Sequence, residues 1–312
     1  MKTQYRITNW AKYNRSLINR GNIFLYFTAV AIRQWHHGGG GDCGRPREYS
    51  SSAIETFLTL RTLLHLPLRQ TQGIVEGLIE QLNLEITCPN YTLACRRAKE
   101  LEIKIRRLLN SENAIHVLVD SSGLKIYGEG EWKMRTHGKS KRRTWRKIHI
   151  AVDRDKKTIV ACEITEATVG DTSAVKDLVE QTSTMESFTA DGAYDASDVR
   201  TLVKANGAIP IIPPDENAII SKANHPERNE AVKFIQDHGD NEEARKLWKQ
   251  NSGYYQRNGV ENTFFRYKTI FGEKLKSRVL ANQKTEGMLR CHLLNKMTKM
   301  GMPISVPIWS DA

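Results

Sequence analysis

The sequence has no apolar run long enough to cross a membrane. Residues 23–32 (IFLYFTAVAI) come nearest, and they supply about half of the roughly 20 residues that a spanning helix requires. The first residues, MKTQYRITNWAKYNR, are polar, which argues against a secretory signal peptide. We therefore expect a soluble, cytoplasmic protein in which residues 23–32 form a buried helix.

Cysteine is scarce and follows no ligand pattern. The five cysteines form neither a C-x-x-C pair nor a His/Cys spacing suited to zinc. Scattered thiols are typical of a reducing cytosol. We expect any metal site to use oxygen ligands, which favours Mg²⁺ or Mn²⁺ over zinc. The cysteines are Cys43, Cys88, Cys95, Cys162 and Cys291.

Acidic residues are outnumbered by basic ones. The 35 Asp and Glu stand against 47 Lys and Arg, for a net charge of +12 and a pI near 9.4. This surplus favours a polyanionic partner such as nucleic acid, although a merely basic soluble protein is the alternative. The length of 312 residues predicts about two domains of roughly 100–200 residues each.

Residues 1–112 are expected to form an N-terminal helical region that binds DNA. Helical periodicity covers residues 52–66 and 68–84. A third helix begins near Tyr91, after a turn that contains Pro89, and carries TLACRRAKELEIKIRRLL. Three short helices with a tight turn before the last are the outline of a helix-turn-helix unit.

In such a unit the start of the third helix faces DNA. Arg96 and Arg97 lie near that start, so we expect both to contact DNA. A plain three-helix bundle with no ligand is the alternative, because this outline is common in sequences.

From residue 113 the periodicity becomes that of an α/β domain. Three strands are followed by alternating helices and strands, the order of an RNase H-like domain with a mixed sheet flanked by helices. We expect this domain over residues 113–304, with a charged insertion at about 215–250. The predicted strands cover 114–120, 124–128 (continuing or pairing with the first), 145–153, 158–167, 187–195 and 208–214, and the helices cover 171–182 (N-capped by Asp171) and 198–207.

Two aspartates lie where predicted strands end. Asp120 closes the run AIHVLVD and Asp191 follows SFTA. Carboxylates that emerge at the open edge of an α/β sheet are placed for metal chemistry. Each aspartate taken alone is more often a turn residue, so the prediction depends on both together.

A third carboxylate, Glu261, lies among basic residues at helical spacing. Tyr254, Arg257, Glu261 and Lys268 fall on one face of a predicted helix. Cations that flank an acid suit a metal-binding carboxylate beside phosphate-binding groups. An amphipathic helix with a salt bridge is the alternative.

Three carboxylates match the chemistry of phosphodiester cleavage. Two divalent ions held by carboxylates can activate the nucleophile, stabilise the leaving oxygen and neutralise charge at phosphorus. Mg²⁺ prefers such oxygen ligands and retains waters.

The blocks VLVDSSGLKIYGEGEW, FTADGAYDA and YYQRNGVENTFFRYK resemble the catalytic blocks of DDE insertion-sequence transposases, specifically the insertion-sequence-five family. The resemblance covers nearly the whole chain. It implies that Asp120, Asp191 and Glu261 are catalytic metal ligands for two Mg²⁺ or Mn²⁺ ions. Tyr254, Arg257, Glu261 and Lys268 match the Tyr, Arg, Glu, Lys pattern of that family's third block. The resemblance therefore also implies that Tyr254, Arg257 and Lys268 contact DNA or order the glutamate.

The resemblance further implies an activity and its partners. A transposase of this kind binds the terminal inverted repeats of its element, cleaves to free 3′-hydroxyls and joins them to target DNA. Its partner is double-stranded DNA, it acts as a homodimer or higher oligomer, and it works at the nucleoid of a bacterial-type cytoplasm. A simple RNase H-like nuclease and a catalytically silent DNA-binding regulator are the alternatives.

A basic stretch lies between the first two blocks. Residues 132–150 hold eight Lys and Arg and no acid, which predicts salt-dependent DNA binding. Trp132 and Trp145 are candidates for stacking on exposed bases. A solvated hairpin is the alternative. The DNA contacts that we expect from this stretch are Lys141, Arg142, Arg143 and Arg146.

Overall fold

The computed structural model describes residues 4–38, 47–103, 105, 114–126, 145–182, 184–220 and 225–308. The chain divides into two compact units. The first unit comprises Met1–Ile103 with Leu293–Ala312, and the second comprises Lys104–His292. The domain boundary expected at residues 112 and 113 stays a prediction.

The first unit is mainly helical. Ser50 caps one helix by accepting from Ala53 N at 3.1 Å, and Pro67 separates that helix from the next. Trp35 and Phe57 lie in its core, fully buried. Its helices are α1 (Trp10–Arg20), α2 (Ala29–Arg33), α3 (Ser51–Leu63), α4 (Leu68–Gln81) and α5 (Tyr91–Ala98).

The two chain ends of this unit meet in a small sheet. Strand β1 (Gln4–Ile7) pairs antiparallel with the last strand, β8 (Ser305–Ile308). Asn9 reinforces the pairing, since its amide donates to Met302 O at 3.0 Å and accepts from Ile304 N at 2.8 Å. The first unit is therefore closed by residues from both ends of the chain.

Two expectations for this unit were wrong. Residues 23–32 do not form one helix: a 3₁₀ turn at Ile23–Leu25 is followed by α2, because the Thr28 hydroxyl accepts from Ala31 N and starts a new helix. The third helix, expected to continue through residue 109, ends at Ala98. No described helix is both long and apolar enough to cross a membrane.

The second unit is built on a mixed sheet in the order β4-β3-β2-β5-β6. Strands β2, β3 and β4 are antiparallel neighbours, whereas β5 and β6 run parallel to β2. This is the RNase H-like order, so the predicted fold class is confirmed. The strands are β2 (Ile115–Ile126), β3 (Trp145–Asp153), β4 (Ile159–Glu166), β5 (Met185–Thr189), β6 (Ile209–Ile211) and the short β7 (Lys274–Leu275), which pairs with β2.

Helices flank this sheet. On one face, Val117 and Phe188 share a core with Leu178 and Val203 of two helices. On the other face, Gly259 allows close approach, since a Cβ there would lie 2.8 Å from Leu118 Cδ1. The helices are α6 (Val175–Gln181), α7 (Ser197–Ala205), α8 (Pro226–Asp237), α9 (Glu242–Asn251), α10 (Asn258–Phe271) and α11 (Leu280–Met300, of which residues from Leu293 onward belong to the first unit).

Local details differ from the expectation. Residues 115–126 form one continuous strand, β2, so the second predicted segment continues the first, which is one of the two alternatives that the sequence left open. Asp171 does not cap a helix: it opens a 3₁₀ turn that precedes α6, and its carboxylate accepts from Lys147 Nζ at 3.1 Å. The charged insertion expected at about 215–250 contains two helices, α8 and α9.

Candidate active site

Asp120 lies in β2, and Asp191 lies beside it, just after the end of the parallel neighbour β5. Leu118 of β2 pairs with Thr189 of β5, and each aspartate follows two residues later on the same face. Asp120 was expected at a strand end but lies within β2, which continues to Ile126. Asp191 lies beyond the end of β5, as expected.

Backbone amides orient both carboxylates. Asp120 Oδ1 accepts from Ser121 N at 2.8 Å. Asp191 Oδ1 accepts from Ala193 N at 3.0 Å and so begins the 3₁₀ turn Gly192–Tyr194. Each side chain therefore has one oxygen fixed by its own loop or strand, and the position of the pair is set locally.

The environment of Asp120 disfavours its charged form. Burial is the main cause of a raised pKa, and the negative charge of Asp191 raises that pKa further, whereas Ser121 N–H and Arg257 lower it. Two carboxylates that repel each other in a partly desolvated position are stabilised by a cation between them. This electrostatic arrangement suits a site for a positively charged ligand.

A short turn brings the third block to this pair. Gly253 adopts a left-handed conformation (φ 73°) after α9 ends, and Tyr254–Arg257 form a 3₁₀ turn before α10 begins at Asn258. The expectation of one continuous helix from Tyr254 was therefore wrong, because the positive φ at Gly253 and the tighter turn redirect the chain.

Arg257 joins two of the three predicted ligands. Its Nη1 lies 3.0 Å from Asp120 Oδ2, and its Nη2 donates to Glu261 Oε1 at 2.5 Å. Nη1 is buried yet makes no well-aligned hydrogen bond. Arg257 thus places a positive charge beside Asp120, and its Nη1 still has hydrogen-bonding capacity for another partner.

Two tyrosines surround the carboxylates. The Tyr254 ring lies 5.8 Å from the guanidinium carbon of Arg257, and burial raises the pKa of its hydroxyl. Burial, with the nearby charges of Asp171, Asp120 and Asp191, also raises the pKa of Tyr194. Sequence reasoning missed Tyr194, although its place in DGAYD, three residues after Asp191, was a usable signal.

The residues fit a divalent cation in chemistry, though not as a finished cage. Asp120 and Asp191 offer hard oxygen ligands next to each other, as Mg²⁺ and Mn²⁺ prefer. Glu261 is paired with Arg257, which also lies 3.0 Å from Asp120. In the part of the chain that the structure describes, no three His, Cys, Asp or Glu residues form a ready metal cluster.

The predicted DNA contacts have different surroundings. Lys268 is half-buried on α10, two turns beyond Glu261. Arg146 donates to Gln283 Oε1 at 2.9 Å. Arg96 is exposed on α5, whereas Arg97 is buried. Lys141, Arg142, Arg143 and Trp132 lie outside the described residues.

Arg97 is bound within its own unit. Its Nη1 donates to Tyr49 O, and its Nη2 donates to Ser51 Oγ at 3.4 Å. Burial lowers its pKa. Because the guanidinium is occupied below the surface, only Arg96 of the two arginines presents its side chain to solvent.

A second Asp–Arg cluster follows the Asp191 turn and was not predicted. Asp195 is 1% exposed, and its Oδ1 accepts from Arg200 Nε at 2.8 Å. Arg228 Nε lies 3.2 and 3.1 Å from the two Asp195 oxygens. Arg200 Nη2 also donates to Ile212 O at 2.9 Å. Asp195 therefore ties the loop after Asp191 to helices α7 and α8.

His149 lies in the sheet beside this region but is fully buried. Its Nε2 pairs with Thr165 Oγ1 at 2.9 Å. Burial lowers its pKa from 6.5 to about 4, while the nearby Asp171 opposes the shift. A histidine that is neutral and inaccessible at neutral pH is a structural residue.

Known families and structures are similar to this chain. Residues 112–296 match a family model described as "Transposase DDE domain", and residues 18–129 match a second model of the same description. A "Cryo-EM structure of piggyBac transposase synaptic complex with hairpin DNA (SNHP)" is 11% identical, with a TM-score of 0.36, over 94% of this chain and 76% of that chain. A "Crystal structure of a pre-cleavage Mos1 transpososome" is 10% identical, with a TM-score of 0.23, over 77% and 84%.

Proposed function

The chain belongs to the family of transposases with a DDE domain, and we propose that it cleaves the ends of its own element and joins them to target DNA. The observation that supports this most directly is the side-by-side placement of Asp120 and Asp191, with Arg257 linking Asp120 to Glu261. Membership of the insertion-sequence-five subgroup stays a prediction.

We assign metal binding to Asp120, Asp191 and Glu261. When bound, divalent ions would activate the attacking water or 3′-hydroxyl and neutralise charge at phosphorus. Asp120 and Asp191 hold their carboxylates in place through Ser121 N and Ala193 N. Glu261 is more than half exposed, so its side chain has the freedom to turn from Arg257 toward the aspartates.

The cations of the third block have a role once DNA is bound. Arg257 carries one charge between two acids, and a phosphate that approaches the aspartates offers it a second anionic partner. Tyr254 packs against Arg257 and limits its movement. We assign Lys268, on the same helix as Glu261, to an adjacent phosphate.

The remaining partners follow from the same proposal. Arg96 on α5 is the exposed cation that we assign to recognition of the terminal inverted repeats. Lys141, Arg142, Arg143 and Arg146 are proposed to contact DNA near the cut end. Two DNA ends must be held together for joining, so we expect a homodimer or higher oligomer on DNA, at the nucleoid of a bacterial-type cell.

The decisive experiment removes one carboxylate at a time. Duplexes that carry the DNA flanking the gene are incubated with the protein and Mg²⁺ or Mn²⁺. We expect Asp120→Asn, Asp191→Asn and Glu261→Gln each to lower strand cleavage by on the order of 10³-fold or more, with duplex binding retained. Asp177→Asn, which changes an exposed acid on α6, is the matched control and should cleave normally.

Two outcomes separate the rival functions. A simple nuclease would cut but would not join pre-cut ends to a plasmid, whereas a silent regulator would bind without cutting in any metal. Full cleavage by any one of the three carboxylate variants would refute the proposed site. Short inverted repeats on both sides of the gene, bounded by direct duplications, would support the transposase directly.

A further inference from the structure

Phe265 is an aromatic residue that the fold leaves in solvent. It lies on α10 with 70% of its surface exposed. The other aromatic residues of this helix, Phe264, Tyr267 and Phe271, are buried. Those three form the helix face that packs in the unit, so the core does not use Phe265.

The position of Phe265 relative to the proposed site is specific. It comes four residues after Glu261 and three before Lys268, so the three side chains lie on one helical face. Glu261 is more than half exposed, so this face is open to solvent at the carboxylate as well. An exposed ring thus stands between the proposed metal-binding carboxylate and the proposed phosphate-binding ammonium.

The ring has no stacking partner among the described residues. The ring pairs and cation–ring contacts there involve other aromatics, such as Tyr267 with Phe271 and Arg257 with Tyr254. A large apolar ring in water beside charged groups costs free energy that a ligand with a flat face recovers. Nucleobases have such a face, and each base stacked on an aromatic side chain typically contributes 1–3 kcal/mol.

We propose that Phe265 stacks on a nucleobase of the DNA end, next to the phosphodiester that is cut. The proposal rests on the proposed function, because it takes Glu261 and Lys268 as the groups that hold the metal and a neighbouring phosphate. Stacking would hold a base out of its pair and so fix the position of the backbone at the carboxylates. The ligand is a base face, so stacking favours an unpaired or distorted end over a specific base.

The test is a double-mutant cycle in which the ring of Phe265 and a base of the DNA are removed singly and together. Wild-type protein and Phe265→Ala are compared on an end duplex from the DNA flanking the gene, and on the same duplex with an abasic site at each terminal position in turn. We expect Phe265→Ala to weaken binding of the intact end roughly tenfold, the loss of about one base–aromatic stack. At one abasic position, the affinity of the wild-type protein should fall by the same factor. The affinity of Phe265→Ala for that duplex should fall no further than it does on the intact end.

Further variants separate stacking from mere apolarity and from damage to the fold. Phe265→Trp should bind as wild type or better, whereas Phe265→Leu, which retains apolar surface without a ring, should resemble Phe265→Ala. Ile219→Ala removes another exposed apolar side chain of this unit, 74% exposed, and should change nothing. Because Phe265 is at the surface, each variant should retain the unfolding midpoint of the wild type.

The failures are distinguishable. If wild-type protein neither binds nor cuts the end, the proposed function fails. If the wild type does both, two results would refute stacking. In the first, Phe265→Ala binds the intact end as tightly as the wild type. In the second, Phe265→Ala is weaker than the wild type by the same factor on every abasic duplex. A shift in oligomeric state of Phe265→Ala without base dependence would overturn the proposal in favour of a contact between protein copies.

Discussion

Two Asp–Arg clusters of the second unit consist of the same residue types but differ in how completely their hydrogen-bonding groups are paired. Asp195 is 1% exposed and is bound by Arg200, Arg228 and the backbone of Asp215, so its oxygens are fully engaged. Asp120 is 17% exposed, and Arg257 approaches it at 3.0 Å without a well-aligned hydrogen bond. The Asp195 cluster, in which every carboxylate oxygen has a partner, stabilises the fold. The Asp120 cluster, in which Arg257 Nη1 lacks a hydrogen bond, retains the capacity to bind a ligand.

The largest expected effect separates the clusters by stability. Asp195→Ala leaves Arg200 and Arg228 without their shared anion, one of them fully buried, and should lower the free energy of unfolding of the second unit by about 3–5 kcal/mol. Asp120→Ala relieves repulsion with Asp191 and leaves Arg257 paired to Glu261, so it should change stability by less than about 1 kcal/mol. Urea unfolding of both variants measures the difference.

If Asp195→Ala and Asp120→Ala lost equal free energy of unfolding, the two clusters would not differ in their contribution to stability. Asp195→Asn sharpens the test, because it retains the shape of the side chain and removes only the charge. A loss close to that of Asp195→Ala would show that the charge, rather than packing, holds α7 and α8 to the loop after Asp191.

His149 is a buried group whose titration makes the stability of the second unit depend on pH. The pKa of His149 is lowered from 6.5 to about 4, so between these values the unfolded chain binds more protons than the folded one. Stability therefore falls as pH is lowered from about 6.5 to about 4, by about 3 kcal/mol from this residue. The loss is complete below the folded pKa and absent above 6.5.

The measurement compares pH dependence rather than absolute stability. His149→Gln cannot titrate, so its unfolding free energy should fall less than that of wild type over this pH range. If the unfolding free energies of the two proteins changed with pH in parallel, His149 would be accessible to protons in the folded state.

The third and smallest effect concerns neighbouring arginines of the first unit. Arg97→Gln breaks buried bonds to Tyr49 and Ser51 and should cost about 1–3 kcal/mol. Arg96→Gln changes an exposed side chain, should cost less than about 0.5 kcal/mol, and should lower the salt slope of DNA binding by about 1. A loss of stability from Arg96→Gln, with an unchanged salt slope, would contradict this assignment.

The strand order and the carboxylate positions were predictable from the sequence. Apolar alternation in WRKIHIAVD gave β3 with its observed ends, and AIHVLVD gave the strand that carries Asp120, although this strand continues past it to Ile126. These features depend on local periodicity and on the fixed rules of sheet connection. They do not require knowledge of distant contacts.

What the sequence could not show depends on tertiary contacts. Arg97 and Arg96 are adjacent and chemically identical, and only the carbonyl of Tyr49, far along the chain, makes one of them internal. The role of Asp195 could not be predicted because its partners, Arg200 and Arg228, lie on later helices. The break before α10 depended on the φ of Gly253, which sequence spacing alone does not specify.

The pairing of β1 with β8 also has a consequence for the order of synthesis. A protein chain leaves the ribosome N-terminus first, and domains usually fold in that order. Here β1 gains its strand partner, and Asn9 its bonds to Met302 and Ile304, only after the residues of the second unit have been made. Strand β1 is thus translated before the second unit but paired after it, and the sheet with Asp120 and Asp191 is ready to form before that pairing.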